Sequence, residues 1–113
     1  MHEMSLAAEI VRLCAERAAA EGAVRVVSVG LALGRLGHVE PEALTFCLGS
    51  AARGTPLDGA RFDLALKDGR AWCFDCGTEV ALGARGAPCP ACGGHALRLI
   101  AGEELNVTTM EIA

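Results

Sequence analysis

Apolar residues recur at helical spacing over the first twenty residues of the chain. They fall three or four positions apart and form one face, which comprises Leu6, Ala7, Ile10, Val11, Leu13, Cys14 and Ala18. This recurrence predicts a helix over Ser5–Glu21 that packs one side on a core. Ser5 suits the N-cap of the helix, and Gly22 suits its C-terminal stop. Because Cys14 lies on the apolar face, we interpret it as a core thiol.

The period then changes from that of a helix to that of a strand. Apolar and small or polar residues alternate from Val24 to Leu33, which predicts a strand with one strongly buried face. That face comprises Val27, Val29, Leu31 and Leu33. After a loop over residues 34–40, Pro41 suits the first turn of a second helix, which ends near Gly54. Its apolar face comprises Leu44, Cys47, Leu48 and Ala51.

Three further segments are predicted to be strands, the first by its alternation and the other two as β-like runs. They are Phe62–Lys67, Ala96–Ala101 and Leu105–Ile112. The order of these elements predicts an α+β fold, in which two helices pack on a small three-stranded mixed sheet. We expect one domain to comprise residues 1–69 plus 102–113, with a second domain, residues 70–101, inserted between two strands.

The inserted segment contains four of the six cysteines, arranged as two C-x-x-C pairs. The pairs are Cys73 with Cys76 and Cys89 with Cys92. Each pair can bend into a knuckle that presents two thiolates to one tetrahedral ion, and the segment between them is long enough for a short hairpin. Gly77 and Gly93 directly follow the pairs, where a knuckle requires a residue that tolerates positive φ. The spacing therefore predicts a zinc-ribbon-like lobe around a structural Zn(II).

The cysteine pairs alone leave other interpretations open. A thiol oxidoreductase would use one C-x-x-C pair at the start of a helix in a βαβ context, whereas here both pairs lie among glycine and proline. Iron is not excluded by four thiolate ligands. A zinc-ribbon module that binds a protein or a nucleic acid is the main alternative from another class of function.

Composition narrows these alternatives. The chain of 113 residues has 10 Lys and Arg against 14 Asp and Glu, a net charge of −4, and its basic residues are scattered. Binding to a phosphate backbone requires clustered positive charge, so we expect no nucleic-acid partner. No apolar run approaches the roughly 20 residues needed to span a bilayer, and the start lacks the basic region of a signal peptide. We therefore expect a cytoplasmic protein without a membrane partner, whose cysteines are ligands or core thiols.

The first three residues, Met1-His2-Glu3, are a second candidate site. A free α-amine, the following amide nitrogens and the imidazole of His2 can form a compact chelate that suits nickel(II) or copper(II). A polar start without any function is the alternative. His38 and Glu40, two further candidate ligands, lie in the loop before the second helix. The alternative to a ligand role is that His38 is a solvated loop residue and that Glu40 is an acid favoured at the N-terminus of the helix. No pattern of a catalytic triad, a phosphate-binding glycine loop or an HExxH zinc site occurs, so we expect no enzyme.

Taken together, several segments resemble the HypA/HybF family of hydrogenase nickel-incorporation proteins. The segments are MHEMSLA, VVSVGLALGRLGHVEPEAL, ARFDLAL, WCFDCG, PCPACGG and GEELNVTTMEI. The resemblance covers essentially the whole chain. An MHE start combined with paired knuckles near the C-terminus is specific for the family, whereas either feature alone is not.

The resemblance implies a nickel metallochaperone that carries Ni(II) as cargo to NiFe hydrogenase and holds a separate structural zinc. It implies nickel ligands at Met1, His2 and Glu3. Some members of the family add an acid, usually Asp, in the loop before the second helix, where this chain has Glu40. The neighbouring His38 is our own further candidate for that position. The zinc ligands implied are Cys73, Cys76, Cys89 and Cys92. The partners implied are the GTPase HypB, the hydrogenase large-subunit precursor and, in some organisms, urease maturation proteins.

Overall fold

Residues 2–113 are described by the computed structural model, and they form two helices and six strands. The helices are α1 (His2–Ala20) and α2 (Pro41–Ala52). The strands are β1 (Val26–Gly34), β2 (Arg61–Lys67), β3 (Gly69–Cys73), β4 (Thr78–Leu82), β5 (Leu97–Ala101) and β6 (Leu105–Ile112). The predicted α+β class, with two helices, a three-stranded mixed sheet and a lobe of two C-x-x-C knuckles, is confirmed.

Helix α1 begins three residues earlier than predicted. Ser5 lies inside the helix, so its assignment as the N-cap is wrong. The overlooked signal is Glu3, an acid in the first turn, where negative charge interacts favourably with the helix dipole. The predicted stop is confirmed, because Gly22 adopts a φ of 75° and the amide of Ala23 donates to the carbonyl of Ala18 over 2.9 Å. This is the hydrogen bond of a Schellman cap.

One sheet has the strand order β2-β1-β6. The amide of Arg35, just beyond β1, donates to the carbonyl of Lys67 at the end of β2, so these two strands are parallel. The amide of Gly34 donates to the carbonyl of Glu104, just before β6, so β1 and β6 are antiparallel. Residues far apart in the chain therefore meet at the central strand β1.

The burial of β1 differs from the predicted alternation. Val27, expected on the buried face, is 37% exposed, whereas Val26 and Ser28 are buried. The reason lies in the neighbouring strand. The Ser28 hydroxyl donates to Glu111 on β6 over 3.1 Å, and an added Cβ at Gly30 would contact the Thr109 side chain on the same strand. Because β6 side chains cover the face of Ser28, a small polar residue is buried there.

The chain divides into two compact units. Unit 1 comprises the residues up to Leu31 together with Val39–Leu64 and Val107–Ala113. Its buried apolar side chains are Ala7, Ile10, Val11, Cys14, Ala18, Val26, Val29, Leu31, Leu44, Cys47, Leu48, Ala52 and Leu57. Cys14 and Cys47 are both buried, which confirms that they are core thiols, and burial raises the pKa of Cys14.

Unit 2 comprises Ala32–His38 and Ala65–Asn106. It contains an antiparallel sheet of order β4-β3-β5. The expected hairpin between the two cysteine pairs is not formed, because β4 pairs backwards with β3 and the first cysteine pair is the turn between them. A buried hydrophobic cluster of the unit comprises Leu36, Ala71, Cys73, Val80, Leu82 and Cys89.

Leu36 enters the core of unit 2 from the loop that follows β1. Its side chain is fully buried, and its amide donates to the carbonyl of Gly102 over 2.8 Å. An added Cβ at Gly69 would collide with the Leu36 side chain, so only glycine at this position of β3 leaves room for the leucine. The preceding Arg35 pairs with Asp68 at 2.9 Å. A short loop is thereby fixed into the lobe that holds the four cysteines.

Neither helix in residues 2–113 combines the length and apolar character needed to cross a membrane.

Candidate metal centre

The four clustered cysteines are held by the ends of strands and by two tight turns. Cys73 is the last residue of β3, and the next amide, that of Phe74, donates to the carbonyl of Ala96 just before β5. In the first turn the amide of Gly77 donates to the carbonyl of Cys73 over 2.8 Å. The second turn repeats this bond, from the amide of Gly93 to the carbonyl of Cys89, also over 2.8 Å. The two pairs therefore form knuckles of the same shape.

Glycine is required in both knuckles by the backbone. Gly77 has a φ of 66° and Gly93 a φ of 75°, in the left-handed region that other residues rarely adopt. This turn directs amides toward sulfur, as the amide of Cys76 shows by lying 3.4 Å from the Cys73 Sγ atom. Such donors stabilise the negative charge of a thiolate.

The sulfur atoms of the two knuckles converge on one point. The Sγ atoms of Cys73 and Cys92 are 3.7 Å apart, those of Cys76 and Cys89 are 3.9 Å apart, and all four lie within 4.8 Å of one another. A Zn–S distance near 2.3 Å in a regular tetrahedron places its four sulfur atoms about 3.8 Å apart. The donor set and its spacing therefore fit a zinc ion with four thiolate ligands.

The environment of the thiols explains why such a cluster needs a cation. Amides of Cys92 and Ala91 lower the pKa of Cys89 to about 7, which favours a thiolate there. Hydrogen bonds with the sulfur atoms of Cys92 and Cys73 raise the pKa of Cys76 to about 12. Because four negative sulfur atoms repel one another at these distances, a metal must displace protons as it binds.

Burial divides each pair into an inner and an outer cysteine. Cys73 and Cys89 are buried and belong to the apolar core of unit 2, whereas Cys76 and Cys92 are exposed. The metal-binding cluster and the hydrophobic core thus share two side chains. Disruption of the cysteine cluster therefore disturbs the hydrophobic core, and disruption of the core disturbs the cluster.

The candidate nickel residues lie at the start of α1. Met1 is outside the described residues. His2 is exposed and is the first residue of the helix, while Glu3 is half-buried in its first turn. The Glu3 carboxylate accepts a hydrogen bond from the amide of Glu40 over 3.3 Å. Its own backbone amide and that of Glu40 lower the pKa of Glu3.

Glu40 has a defined structural role of its own. It is the N-cap of α2, with extended φ and ψ of −86° and 120°, and its carboxylate accepts a hydrogen bond from the amide of Ala43 over 2.7 Å. The structure therefore brings Glu3 and Glu40 together, through the Glu40 amide and not through its carboxylate. The sequence signal for the cap is an acid directly before Pro41 at the first helical position. His38 is exposed and belongs to unit 2.

Comparison with known proteins finds relatives over the full length. The family described as "Hydrogenase/urease nickel incorporation, metallochaperone, hypA" matches residues 1–112. Hydrogenase maturation factors HypA of Rhizobium leguminosarum bv. viciae and Rhodopseudomonas palustris are 44% and 42% identical over 112 residues, with 99% of each chain covered. The solution structure of the Ni metallochaperone HypA from Helicobacter pylori matches with a TM-score of 0.68 and 18% identity, over 97% of this chain and 96% of that one. At that identity the structural match shows the fold.

Proposed function

Because this chain belongs to the HypA family of hydrogenase and urease nickel-incorporation proteins, we propose that it is a nickel metallochaperone. In this proposal it binds Ni(II) at its N-terminus and delivers the ion during maturation of NiFe hydrogenase. The observation that carries the proposal is the match to the family over residues 1–112, which includes both the terminal MHE and the cysteine pairs. Binding and release, without turnover of a substrate, are its activity.

The proposed nickel ligands are Met1 through its amine, His2 through its imidazole and amide, and Glu3. Two observations support a site at this end. The imidazole of His2 is exposed, so an ion reaches it without any opening of the core. The first amides of a helix have no acceptor within the helix, so that of His2 is available to a metal at no cost in helical hydrogen bonds.

Loading with nickel is expected to depend on pH. The amine and imidazole must lose their protons before they bind a metal ion. Mild acidification therefore weakens the complex. Release to a partner benefits from the same property, because an exposed site made of a few terminal groups holds its cargo only moderately.

The four cysteines are proposed to hold a structural Zn(II). When bound, the zinc crosslinks the two knuckles, and its site is closed because all four tetrahedral positions are filled by sulfur. The chain contributes the amides that stabilise the thiolates and the core residues that fix Cys73 and Cys89. We assign the cargo to residues 1–69 plus 102–113 and the scaffold to residues 70–101.

The proposed partners follow from the family. They are the GTPase HypB, the hydrogenase large-subunit precursor and, where urease is present, its maturation proteins. We propose that these encounters take place in the cytoplasm.

Titration of untagged protein with nickel tests the proposal. Isothermal calorimetry on the native chain is expected to give one nickel site, which His2→Ala, or one extra residue before Met1, weakens at least tenfold. His95→Ala is the matched control, because it removes an exposed imidazole from unit 2 and leaves the terminus intact. Unchanged nickel affinity in both terminal variants contradicts the site.

A separate measurement tests the zinc scaffold. Elemental analysis of the purified chain is expected to give one zinc, which Cys73→Ser and Cys89→Ser each release. Cys47→Ser, at a core thiol of unit 1, is the control that keeps the zinc. One tightly held zinc in the Cys73 and Cys89 variants would exclude the four-thiolate site.

A further inference from the structure

The outer face of the β4-β3-β5 sheet combines an aromatic side chain with charged ones. Side chains alternate along β3, so Ala71 and Cys73 point into the core while Arg70 and Trp72 point outward. Trp72, the only tryptophan in the chain, lies opposite Glu79 on β4 and Arg98 on β5. An aromatic side chain is therefore flanked by an acid on one side and a base on the other.

Three large apolar side chains in or next to these strands are exposed. Trp72 is 39% exposed, Phe74 is 62% exposed and Ile100 is 53% exposed. Ile100 is the extra residue of an irregularity in pairing, since Arg70 lies opposite Ala101 and Ala71 opposite Leu99. A bulge of this kind re-aims a side chain without interrupting the strand. We call the surface formed by Arg70, Trp72, Phe74, Arg98 and Ile100 the Trp72 face.

The charges of the Trp72 face are unbalanced in a direction opposite to that of the whole chain. Arg70 is neutralised by Glu79, with the guanidinium 2.7 Å from the carboxylate. Arg98 forms no ion pair with any acid in residues 2–113. The chain has a net charge of −4, yet this face has one uncompensated positive charge beside its tryptophan. Tryptophan and arginine are the residues that most often dominate binding energy in protein interfaces.

The same charges argue against two other occupants. A second copy in a two-fold contact would bring identical faces together, each with an unpaired Arg98 and with its Glu79 already paired with Arg70. A nucleic acid would require several phosphate contacts, and the face offers one free cation. A protein segment with an acid next to apolar side chains satisfies both the charge and the apolar area.

We propose that the Trp72 face is a docking surface for a partner protein that presents a carboxylate beside aliphatic or aromatic side chains. Arg98 receives the carboxylate, and Trp72, Phe74 and Ile100 cover the apolar part. The surface lies on the outside of the sheet whose inner side holds Cys73, so it is rigid as long as the lobe is folded. Docking uses no nickel ligand, which makes it independent of cargo.

A random dodecapeptide library displayed on phage, selected on the full chain, tests this proposal without nickel. The enriched peptides are expected to share an acid next to apolar residues. The synthetic consensus peptide, followed by fluorescence anisotropy, is expected to bind at least tenfold more weakly to Trp72→Ala, and Arg98→Gln is expected to weaken binding and reduce its dependence on salt. In the unmodified chain the fluorescence emission is expected to shift on binding, and the shift reports on Trp72 because it is the single tryptophan.

Matched controls lie in unit 1. Phe46→Ala removes an aromatic side chain that is 76% exposed on α2, and Arg53→Gln removes an exposed arginine at the end of that helix. Both are expected to bind the peptide as the unmodified chain does. Zinc content and circular dichroism identify any variant that fails to fold. If Trp72→Ala does not fold, the binding of the peptide to Arg98→Gln tests the proposal instead.

Four results would overturn the proposal. They are a basic or uncharged consensus, an absence of enriched peptides that depend on Trp72, self-association in sedimentation that Trp72→Ala abolishes, and Trp72-dependent binding of a labelled oligothymidylate. The third result would identify a second copy as the occupant, and the fourth a nucleic acid.

Discussion

Replacement of Glu40 with alanine separates two roles that this residue could have. In the structure its carboxylate caps α2 through the amide of Ala43, at 2.7 Å, while the family resemblance makes the same carboxylate a candidate nickel ligand. A carboxylate oxygen engaged with the amide must give up that bond to reach a metal. Stability and nickel affinity therefore report on the two roles independently.

The expected loss of stability follows from the cap. Removing an N-cap side chain costs about 0.5–2 kcal/mol, because one amide of the first turn loses its acceptor. An unfolding entropy near 2.1 cal/mol/K per residue corresponds, for a chain of 113 residues, to roughly 4 °C in Tm for each kcal/mol. We expect Glu40→Ala to lower the Tm by about 2–8 °C.

Thermal unfolding followed by circular dichroism measures this change, and Glu40→Asn is the control. Asparagine is among the best N-cap residues but carries no charge, so it is expected to restore most of the Tm. If Glu40 is only a cap, Glu40→Asn also keeps the nickel affinity within about twofold. A tenfold loss of nickel affinity at restored stability would instead make Glu40 a ligand that releases α2 on loading.

A Tm of Glu40→Ala within 1 °C of that of the unmodified protein would contradict the role of Glu40 as a cap. A Glu40→Asn variant as unstable as Glu40→Ala would also contradict it, because the loss would then come from the charge and not from the hydrogen bond.

Three further outcomes are expected. Gly69→Ala inserts a methyl group against Leu36, so it is expected to destabilise the lobe by about 1–3 kcal/mol and to speed the loss of zinc to a chelator. Gly83→Ala, whose added methyl group would lie in open space, is expected to change neither stability nor zinc loss. Equal rates of zinc loss in the two variants would contradict the packing of Leu36 against Gly69. Iodoacetamide, counted by mass spectrometry, is expected to modify no cysteine in the zinc-loaded chain, the exposed Cys76 and Cys92 first after chelation, and all six cysteines after denaturation; modification of the two core thiols of unit 1 before Cys76 and Cys92 would contradict their burial. Hydrogen bonds lower the pKa of Glu3 in the folded state below its ordinary value of 4.5, so the contribution of Glu3 to stability is present above that pH and is lost on acidification. The Tm difference between the native chain and Glu3→Gln is therefore expected to shrink from pH 7 to pH 3. A constant Tm difference over this range would refute the stabilising role of these hydrogen bonds.

Sequence periodicity predicted those parts of the fold whose cause is local. Helix α2 and strand β6 have nearly the predicted bounds, because the spacing of Leu44, Cys47 and Leu48 and the β-like run from Leu105 to Ile112 are properties of short segments. The four sulfur atoms were predictable for the same reason. Each knuckle is closed by hydrogen bonds within a few residues, so the spacing of the cysteines already determines its shape.

What the sequence could not reveal depends on contacts between distant segments. Leu36 is a single leucine in a loop, with no periodic neighbours, and its burial is due to Gly69 and Gly102. Val27 was misassigned because the cover over Ser28 comes from Glu111, more than eighty residues later. The bond from the Glu40 amide to Glu3 likewise joins two helix starts that no local pattern relates.

The sheet order β2-β1-β6 has a consequence for how the chain is made in the cell. Strand β1 is synthesised early, but its second neighbour, β6, follows the cysteine-rich segment and is the last described strand to leave the ribosome. Both knuckles have therefore been translated before the edge of β1 can be covered. A nascent chain therefore keeps this edge of β1 open to proteases and chaperones until β6 has been made.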